Sequence, residues 1–161
     1  MVNEYRVDAA GRATRSPADW ERFSTSVVWL DAVNPDDDDM RRMCGILGFE
    51  LPGREDMGDL ELSSRLYRED DTYIMIANLL PKSADEVLPA RPASFILRRD
   101  LLITIRFTEF SSFDRVKTEI TAGREKAAAE AIFINLLEAA VSDCADELEF
   151  SMRPMETLTA K

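Results

Sequence analysis

Carboxylates are the side chains of this sequence with the greatest capacity for chemistry. The chain holds 31 Asp and Glu residues, 20 Lys and Arg residues and no histidine. Without an imidazole, neither a Ser-His-Asp nor a Cys-His arrangement can be built, and the commonest general base is missing. Carboxylate oxygens suit hard cations such as Mg²⁺, which is often held by one or two carboxylates with its water shell retained. The composition permits a cation site without locating it, and it gives no support to an enzyme.

The acid pairs and runs have simpler explanations than chemistry. Asp36 to Asp39 follow Asn34-Pro35 and lack the spaced oxygens, central Gly and closing Glu of a calcium loop, so they predict the start of a helix. Glu69-Asp70-Asp71 suits a tight turn. Glu55 and Asp56 fall in the first turn of a predicted short helix. None of these acids is a catalytic candidate by itself.

Other motifs of known chemistry are missing. The six glycines are scattered singly, with no GxGxxG and no GxxxxGK[ST], so no cofactor-binding loop is predicted. Cys44 and Cys144 lie far apart without CxxC spacing, and we expect both to be small buried apolar residues. The net charge of −11 repels phosphate backbones, which argues against nucleic acid as a partner. The simplest role of that charge is solubility.

Hydrophobic periodicity and turn residues predict an α/β chain. The expected strands cover residues 2–7, 26–30, 60–68, 72–80, 92–98 and 101–107, with the last two forming a central hairpin. The expected helices cover residues 34–47, ending at Gly48, then 53–58, 114–121 and a long segment from about Arg124 to the end.

The long helical segment carries an apolar stripe at coiled-coil spacing. We call it the heptad stripe, and its members are Ile134, Leu137, Val141, Cys144, Leu148, Met155 and Leu158. It predicts a contact either with the sheet or with another helix. Pro154 favours fraying of the last residues.

No run of the sequence reaches the roughly 18 apolar residues of a membrane-spanning helix, and the first residues lack the apolar core of a signal peptide. With 45% apolar residues the chain can bury a real core. We therefore expect a soluble, cytosolic piece.

Several ordered motifs resemble those of the CorA family of magnesium transporters. They are Trp29-Leu-Asp31 with Asn34-Pro35, Leu47-Gly48 followed by Pro52 to Asp56, Ser64-Arg65-Leu66-Tyr67, and the strand pair Phe95 to Leu97 and Leu101 to Ile105. Each motif is weak alone, but their ordered combination extends over roughly 120 residues.

The resemblance implies a three-layer α/β/α domain with a central mixed sheet, ending in a long helix. It divides the chain into a cytosolic domain at residues 1–123 and, at residues 124–161, the start of a helical segment leading towards a stalk. It further implies a homopentamer on the cytoplasmic side of the inner (plasma) membrane, whose stalk and transmembrane helices are missing here.

The resemblance also implies a regulatory metal site. Asp56 matches a family acid that holds a weakly bound regulatory Mg²⁺ with a stalk acid of the neighbouring subunit, and Glu55 matches an acid near a second, weaker ion. Zn²⁺ and Co²⁺ are alternative ions, although the lack of histidine argues against zinc. Three functions stay open: the sensor domain of a magnesium channel, the cytosolic domain of a related zinc transporter, and a free-standing acidic α/β binding module.

Overall fold

A seven-stranded mixed sheet forms the centre of the fold. The computed structural model describes residues 1–59, 65–82, 88–125 and 127–159, with side chains described up to residue 150 except at residue 59. The strands are β1 Val2–Val7, β2 Ala13–Pro17, β3 Val27–Val33, β4 Leu66–Glu69, β5 Thr72–Leu79, β6 Arg91–Arg98 and β7 Leu101–Arg106. Their order across the sheet is β2-β1-β3-β7-β6-β5-β4.

The pairing of β3 with β7 is parallel, and the other strand pairs are antiparallel. Within this pair Trp29 lies opposite Leu102, and Asp31 lies opposite Thr104. All seven residues of β3 are buried, as expected for a strand that is covered on both faces. The β6–β7 hairpin includes the central strand of the sheet, which confirms the prediction of a central second hairpin.

Within the described residues, four helices cover the two faces of the sheet. They are α1 Asp37–Leu47, α2 Arg54–Asp59, α3 Ser111–Thr121 and α4 Ala129–Thr159. On one face, Met43 of α1 and Met57 of α2 pack in a cluster with Leu30. On the other face, Phe113 of α3 and Leu136 of α4 pack with Trp29, Phe95 and other buried residues. The three-layer α/β/α domain with a central mixed sheet and a long final helix is therefore confirmed.

The start of α1 differs from the prediction, whereas its end agrees. Asp36, rather than Asn34, is the N-cap, and its Oδ1 accepts a hydrogen bond from the Asp39 backbone N–H at 2.8 Å. Asn34 has φ 45° and its side chain is bonded elsewhere. Gly48 ends the helix with φ 85°, a left-handed conformation that glycine adopts at little cost.

Several other sequence expectations need correction. Strand β2 was not predicted, α3 begins at Ser111 rather than near Asp114, and α4 begins five residues later than Arg124. Cys144 is exposed and Cys44 is half-buried, so the expectation of two buried cysteines was wrong. Residues 60–64 of the predicted third strand lie outside the described residues. Among the described helices, none combines the length and apolar character needed to cross a bilayer.

Candidate functional site

Helix α2 presents both predicted metal ligands to solvent. Leu51 and Met57 anchor this part of the chain in the core, while Glu55 and Asp56 are exposed. One oxygen of Asp56, Oδ2, accepts a hydrogen bond from the backbone N–H of Gly53 at 2.9 Å. A carboxylate three residues into a helix commonly reaches back in this way to satisfy a free N–H at the helix start. Asp56 therefore has a structural task in addition to its predicted one.

Arg54 fixes the start of α2 against the body of the domain. Its guanidinium donates to Oδ1 of Asn34 at 2.9 Å and lies 4.5 Å from the centre of the Phe107 ring. Asn34 is itself placed by a backbone hydrogen bond from its N–H to the carbonyl of Arg106 at 2.9 Å. The turn after β3 and the end of β7 thus hold the acidic helix. Sequence analysis named the turn and the helix but missed this connection.

The carboxylates of α2 suit a magnesium ion that keeps its water shell better than one that is enclosed entirely by protein oxygens. Mg²⁺ prefers oxygen ligands in octahedral geometry and usually keeps several waters. Adjacent residues such as Glu55 and Asp56 do not face each other on a helix, so they do not form a chelating pair. Within the described residues, no group of three or more acids is placed to hold a metal ion. The residues therefore fit one half of a site that needs further oxygens.

A buried polar network lies on the opposite face of the sheet. Asp31 of β3 is fully buried and accepts three hydrogen bonds from β7: Oδ1 from Thr104 at 3.0 Å and from Arg106 Nε at 3.0 Å, and Oδ2 from Arg106 at 2.9 Å. Lys117 of α3 places its ammonium 2.6 Å from Oδ2 of Asp31. The Trp29 indole N–H donates to Thr104 at 3.0 Å. These residues connect two central strands to α3.

The electrostatics of this network favour the charged forms of its members. Burial by itself would raise the pKa of Asp31, but the hydrogen bond and charge of Arg106, together with the charge of Lys117, lower the pKa below its ordinary value. Burial would lower the pKa of Arg106, whereas bonds to Asp31 and to Glu109 at 2.6 Å raise it. The guanidinium also lies 4.6 Å from the ring centre of Phe113. The network is an internally neutralised structural element.

Sequence reasoning did not identify this network, although a signal for it was present. Asp31 is the one charged residue of β3, Arg106 is the one charged residue of β7, and their charges are of opposite sign. A buried charge is tolerated only when it is paired. Two strands that carry single buried charges of opposite sign are therefore expected to be neighbours. This expectation would have placed β3 beside β7.

A shallow groove of about 270 Å³ lies between α3 and α4, on the same face as the buried network. Its polar lining includes Arg115, Glu119 and Glu138. Arg115 forms an ion pair with Asp143, and Glu119 forms one with Arg124. The groove is across the sheet from α2, so it contributes nothing to the predicted metal ligands.

Comparison with known proteins gives concordant results. A family model described as "CorA-like Mg2+ transporter protein" matches residues 24–152. The protein named "Magnesium transport protein CorA" from Escherichia coli (strain K12) is 27% identical over 161 residues, which is 99% of this chain and 50% of that protein. The protein of the same name from Salmonella typhimurium has the same identity and coverage. The chain spans about half the length of the curated relatives it matches.

Solved structures share the fold. The complete CorA magnesium transporter from Methanocaldococcus jannaschii superposes with a TM-score of 0.66 at 15% identity, covering 98% of this chain and 50% of that one. Its soluble domain gives a TM-score of 0.64 at 14% identity, covering 100% and 65%. The ZntB cytoplasmic domain from Vibrio parahaemolyticus gives 0.66 at 12% identity, covering 94% and 63%. At these identities the likeness concerns the fold alone.

Proposed function

This chain belongs to the CorA-like Mg²⁺ transporter family, and we propose that it is the cytosolic, metal-sensing regulatory domain of a magnesium channel. In this proposal residues 1–123 form the sensing domain and residues 124–161 begin the helical segment towards the stalk. The full-length protein is a homopentamer with this domain on the cytoplasmic side of the membrane. The match over residues 24–152 supports the family part of the proposal.

The sensing part depends on one observation: α2 holds Glu55 and Asp56 outward while Arg54 ties the helix to Asn34 and Phe107. A rigidly held carboxylate is a better half-site than one on a mobile loop, because less freedom is lost on binding. Asp56, with Glu55 beside it, would hold a regulatory Mg²⁺ together with an acid of the neighbouring subunit. The bound cation would cancel the repulsion between two negative surfaces.

The protein's own charges supply the opposing force. With a net charge of −11, neighbouring copies repel each other over distances of about a Debye length, about 8 Å at physiological salt. The domains then separate unless their facing acids are neutralised. Modest differences in affinity at several equivalent sites are enough to shift such an equilibrium between closed and splayed arrangements.

The decisive experiment measures Mg²⁺-dependent closure of the full-length channel in liposomes. Asp56→Asn removes the charge but keeps an oxygen that can accept from the Gly53 N–H. We expect this variant to need several-fold more Mg²⁺ for closure than the wild type, whereas Asp100→Asn, at the exposed tip of the β6–β7 hairpin, closes like the wild type. Equal Mg²⁺ dependence of Asp56→Asn and wild type would remove Asp56 from the sensing site.

A zinc-transporting relative is the second candidate, because the fold is shared with the ZntB cytoplasmic domain. Zinc sites usually contain histidine or cysteine, and this chain has no histidine. Comparing Mg²⁺, Co²⁺ and Zn²⁺ as closing ions in the same liposomes separates the two candidates. Closure by zinc at far lower concentrations than magnesium, abolished by Asp56→Asn, would favour the zinc candidate.

A further inference from the structure

Helix α2 is tied to the ends of two central strands through the guanidinium of Arg54. This group donates to Oδ1 of Asn34 at 2.9 Å and lies 4.5 Å from the centre of the Phe107 ring. Asn34 directly follows β3, and Phe107 directly follows β7. Beyond the core contacts of Met57 and Leu51, the position of α2 therefore depends on how these two strand ends are held.

A single residue, Arg106, supports both contacts of Arg54. The backbone N–H of Asn34 donates to the carbonyl of Arg106 at 2.9 Å, and Phe107 is the next residue along the chain. Successive side chains of a strand point to opposite faces of the sheet. Phe107 accordingly packs with the cluster beneath α1 and α2, whereas the guanidinium of Arg106 lies 4.6 Å from the ring centre of Phe113 on the α3 face. Arg106 thus serves one face with its side chain and the other with its backbone.

The guanidinium of Arg106 fixes the position of its own backbone. It is fully buried, and its Nε and Nη2 donate to the two carboxylate oxygens of Asp31 at 3.0 and 2.9 Å. Its Nη1 donates to the backbone carbonyl of Thr108 at 3.0 Å and to Oε2 of Glu109 at 2.6 Å. Because Phe107 lies between Arg106 and Thr108 in the chain, the Nη1 bonds hold the segment that places the Phe107 ring. The rigid fork of an arginine can hold the strand end and the following segment at the same time.

We propose that Arg106 is a positioning residue for the cation half-site on the opposite face of the sheet. Its side chain fixes the ends of β3 and β7, these ends hold Arg54, and Arg54 sets where α2 presents Asp56. The inference rests on the proposed sensing function, because it concerns the same carboxylate. Binding groups need to be held within about 0.5 Å of their productive positions. A loosened Arg106 should therefore weaken the response to Mg²⁺ from the far side of the sheet.

Two substitutions weaken the hold of Arg106 without changing α2. Glu109→Ala removes a carboxylate whose side chain is 57% exposed, so this variant is expected to keep the fold. Arg106→Lys keeps the buried charge but replaces the fork with a single ammonium group. Glu119→Ala is the matched control, because it removes the ion pair of Glu119 with Arg124, which lies outside the network. Far-UV circular dichroism and urea unfolding check that each variant is folded.

Amide hydrogen exchange tests the position of α2 without Mg²⁺. In the 161-residue chain, Glu109→Ala and Arg106→Lys should accelerate exchange in α2 more than in α1, whereas Glu119→Ala should leave both helices at the wild-type rate. The comparison with α1 separates a local release of α2 from a general loss of stability. Wild-type exchange of α2 in a folded Glu109→Ala variant would overturn the proposal.

Mg²⁺-dependent closure of the full-length channel in liposomes tests the effect on the half-site. Glu109→Ala should need several-fold more Mg²⁺ than the wild type. This shift should disappear in an Arg54→Met background, where the connection is already broken, whereas a general loss of stability would act in both backgrounds. Closure of Glu109→Ala at the wild-type Mg²⁺ concentration, or an equal shift in both backgrounds, would overturn the proposal. Wild-type closure of Asp56→Asn would instead overturn the sensing function, because the exchange experiment measures the position of α2 independently of Mg²⁺.

Discussion

Asp31 and Asp56 lie on opposite faces of the sheet and have opposite environments. Asp31 lies beneath α3, fully buried, with Thr104, Arg106 and Lys117 around its two oxygens. Asp56 lies on α2, on the other face of the sheet, where it is exposed and accepts a hydrogen bond from the Gly53 backbone N–H. The protein neutralises the carboxylate of Asp31 fully, whereas the carboxylate of Asp56 keeps the capacity to coordinate a ligand from outside the domain.

This contrast shows that burial decides the role of a carboxylate. A buried and paired carboxylate contributes to the structure, and replacing its partners with another ligand costs much free energy. An exposed carboxylate contributes little to stability, so it is available for binding. The following substitutions test whether changes on the Asp31 side of the sheet alter stability while changes on the Asp56 side alter the response to cations.

The largest expected effect is that of Asp31→Asn. Arg106 and Lys117 would keep their charges while losing the carboxylate, and removing one member of a buried pair costs about 3–5 kcal/mol. Urea unfolding followed by circular dichroism measures the loss. A loss below about 1 kcal/mol would show that the network is not the structural element inferred here.

Replacing Lys117 with Met is milder and tests the network through pH. The pKa of Asp31 is lowered in the folded state, so its contribution is present above the unfolded pKa and is lost as the pH falls through the folded pKa. Without the Lys117 charge, the folded pKa rises, so acid unfolding should begin at a higher pH. Lys82→Met removes an exposed ion pair with Asp114 and should leave the acid transition in place. Coincident acid transitions of all three proteins would contradict this account.

Arg54→Met tests the attachment of the acidic helix. The variant loses the hydrogen bond to Asn34 and the cation–π contact with Phe107, at a cost of about 1 kcal/mol. Amide hydrogen exchange should accelerate in α2 more than in α1. If α2 exchanges at the wild-type rate in this variant, the helix is held by Leu51 and Met57 alone.

The smallest expected effect on stability is that of Asp56→Asn. The side chain is exposed and the new amide oxygen can still accept from Gly53, so unfolding should change by less than about 0.5 kcal/mol. The same variant is expected to change the Mg²⁺ response, which makes it the converse of Asp31→Asn. A large stability loss would mean that the fold needs the negative charge of Asp56 and not only its hydrogen bond with the Gly53 N–H.

Local features of the chain were predictable where the sequence alone specifies the backbone. Gly48 ends α1 because few other residues adopt its left-handed conformation, and the β4–β5 turn at Asp70 follows from its residue types. The α1 cap was misplaced because Asn34, a good cap by type, is engaged by Arg54 twenty residues away. Such a competitor is invisible to a local pattern.

Strand β2 and the buried network escaped prediction for related reasons. The sequence ATRSP has only one buried residue and forms an edge strand, so it lacks the alternation that identifies a strand. Lys117 is separated from Asp31 by about half of the chain, and its role depends on where α3 packs. Glu55 and Asp56 were identified only through resemblance, because two adjacent acids carry no specific pattern of their own.

The parallel pairing of β3 with β7 also constrains how the chain folds. Asp31 and Thr104, which are opposite each other in the finished sheet, are 73 residues apart in sequence. Strand pairs with such long separations form slowly, because a large loop must close before any contact forms. During synthesis, the apolar β3 segment must therefore wait for β7 to leave the ribosome, and this interval is when the nascent domain is most exposed to aggregation.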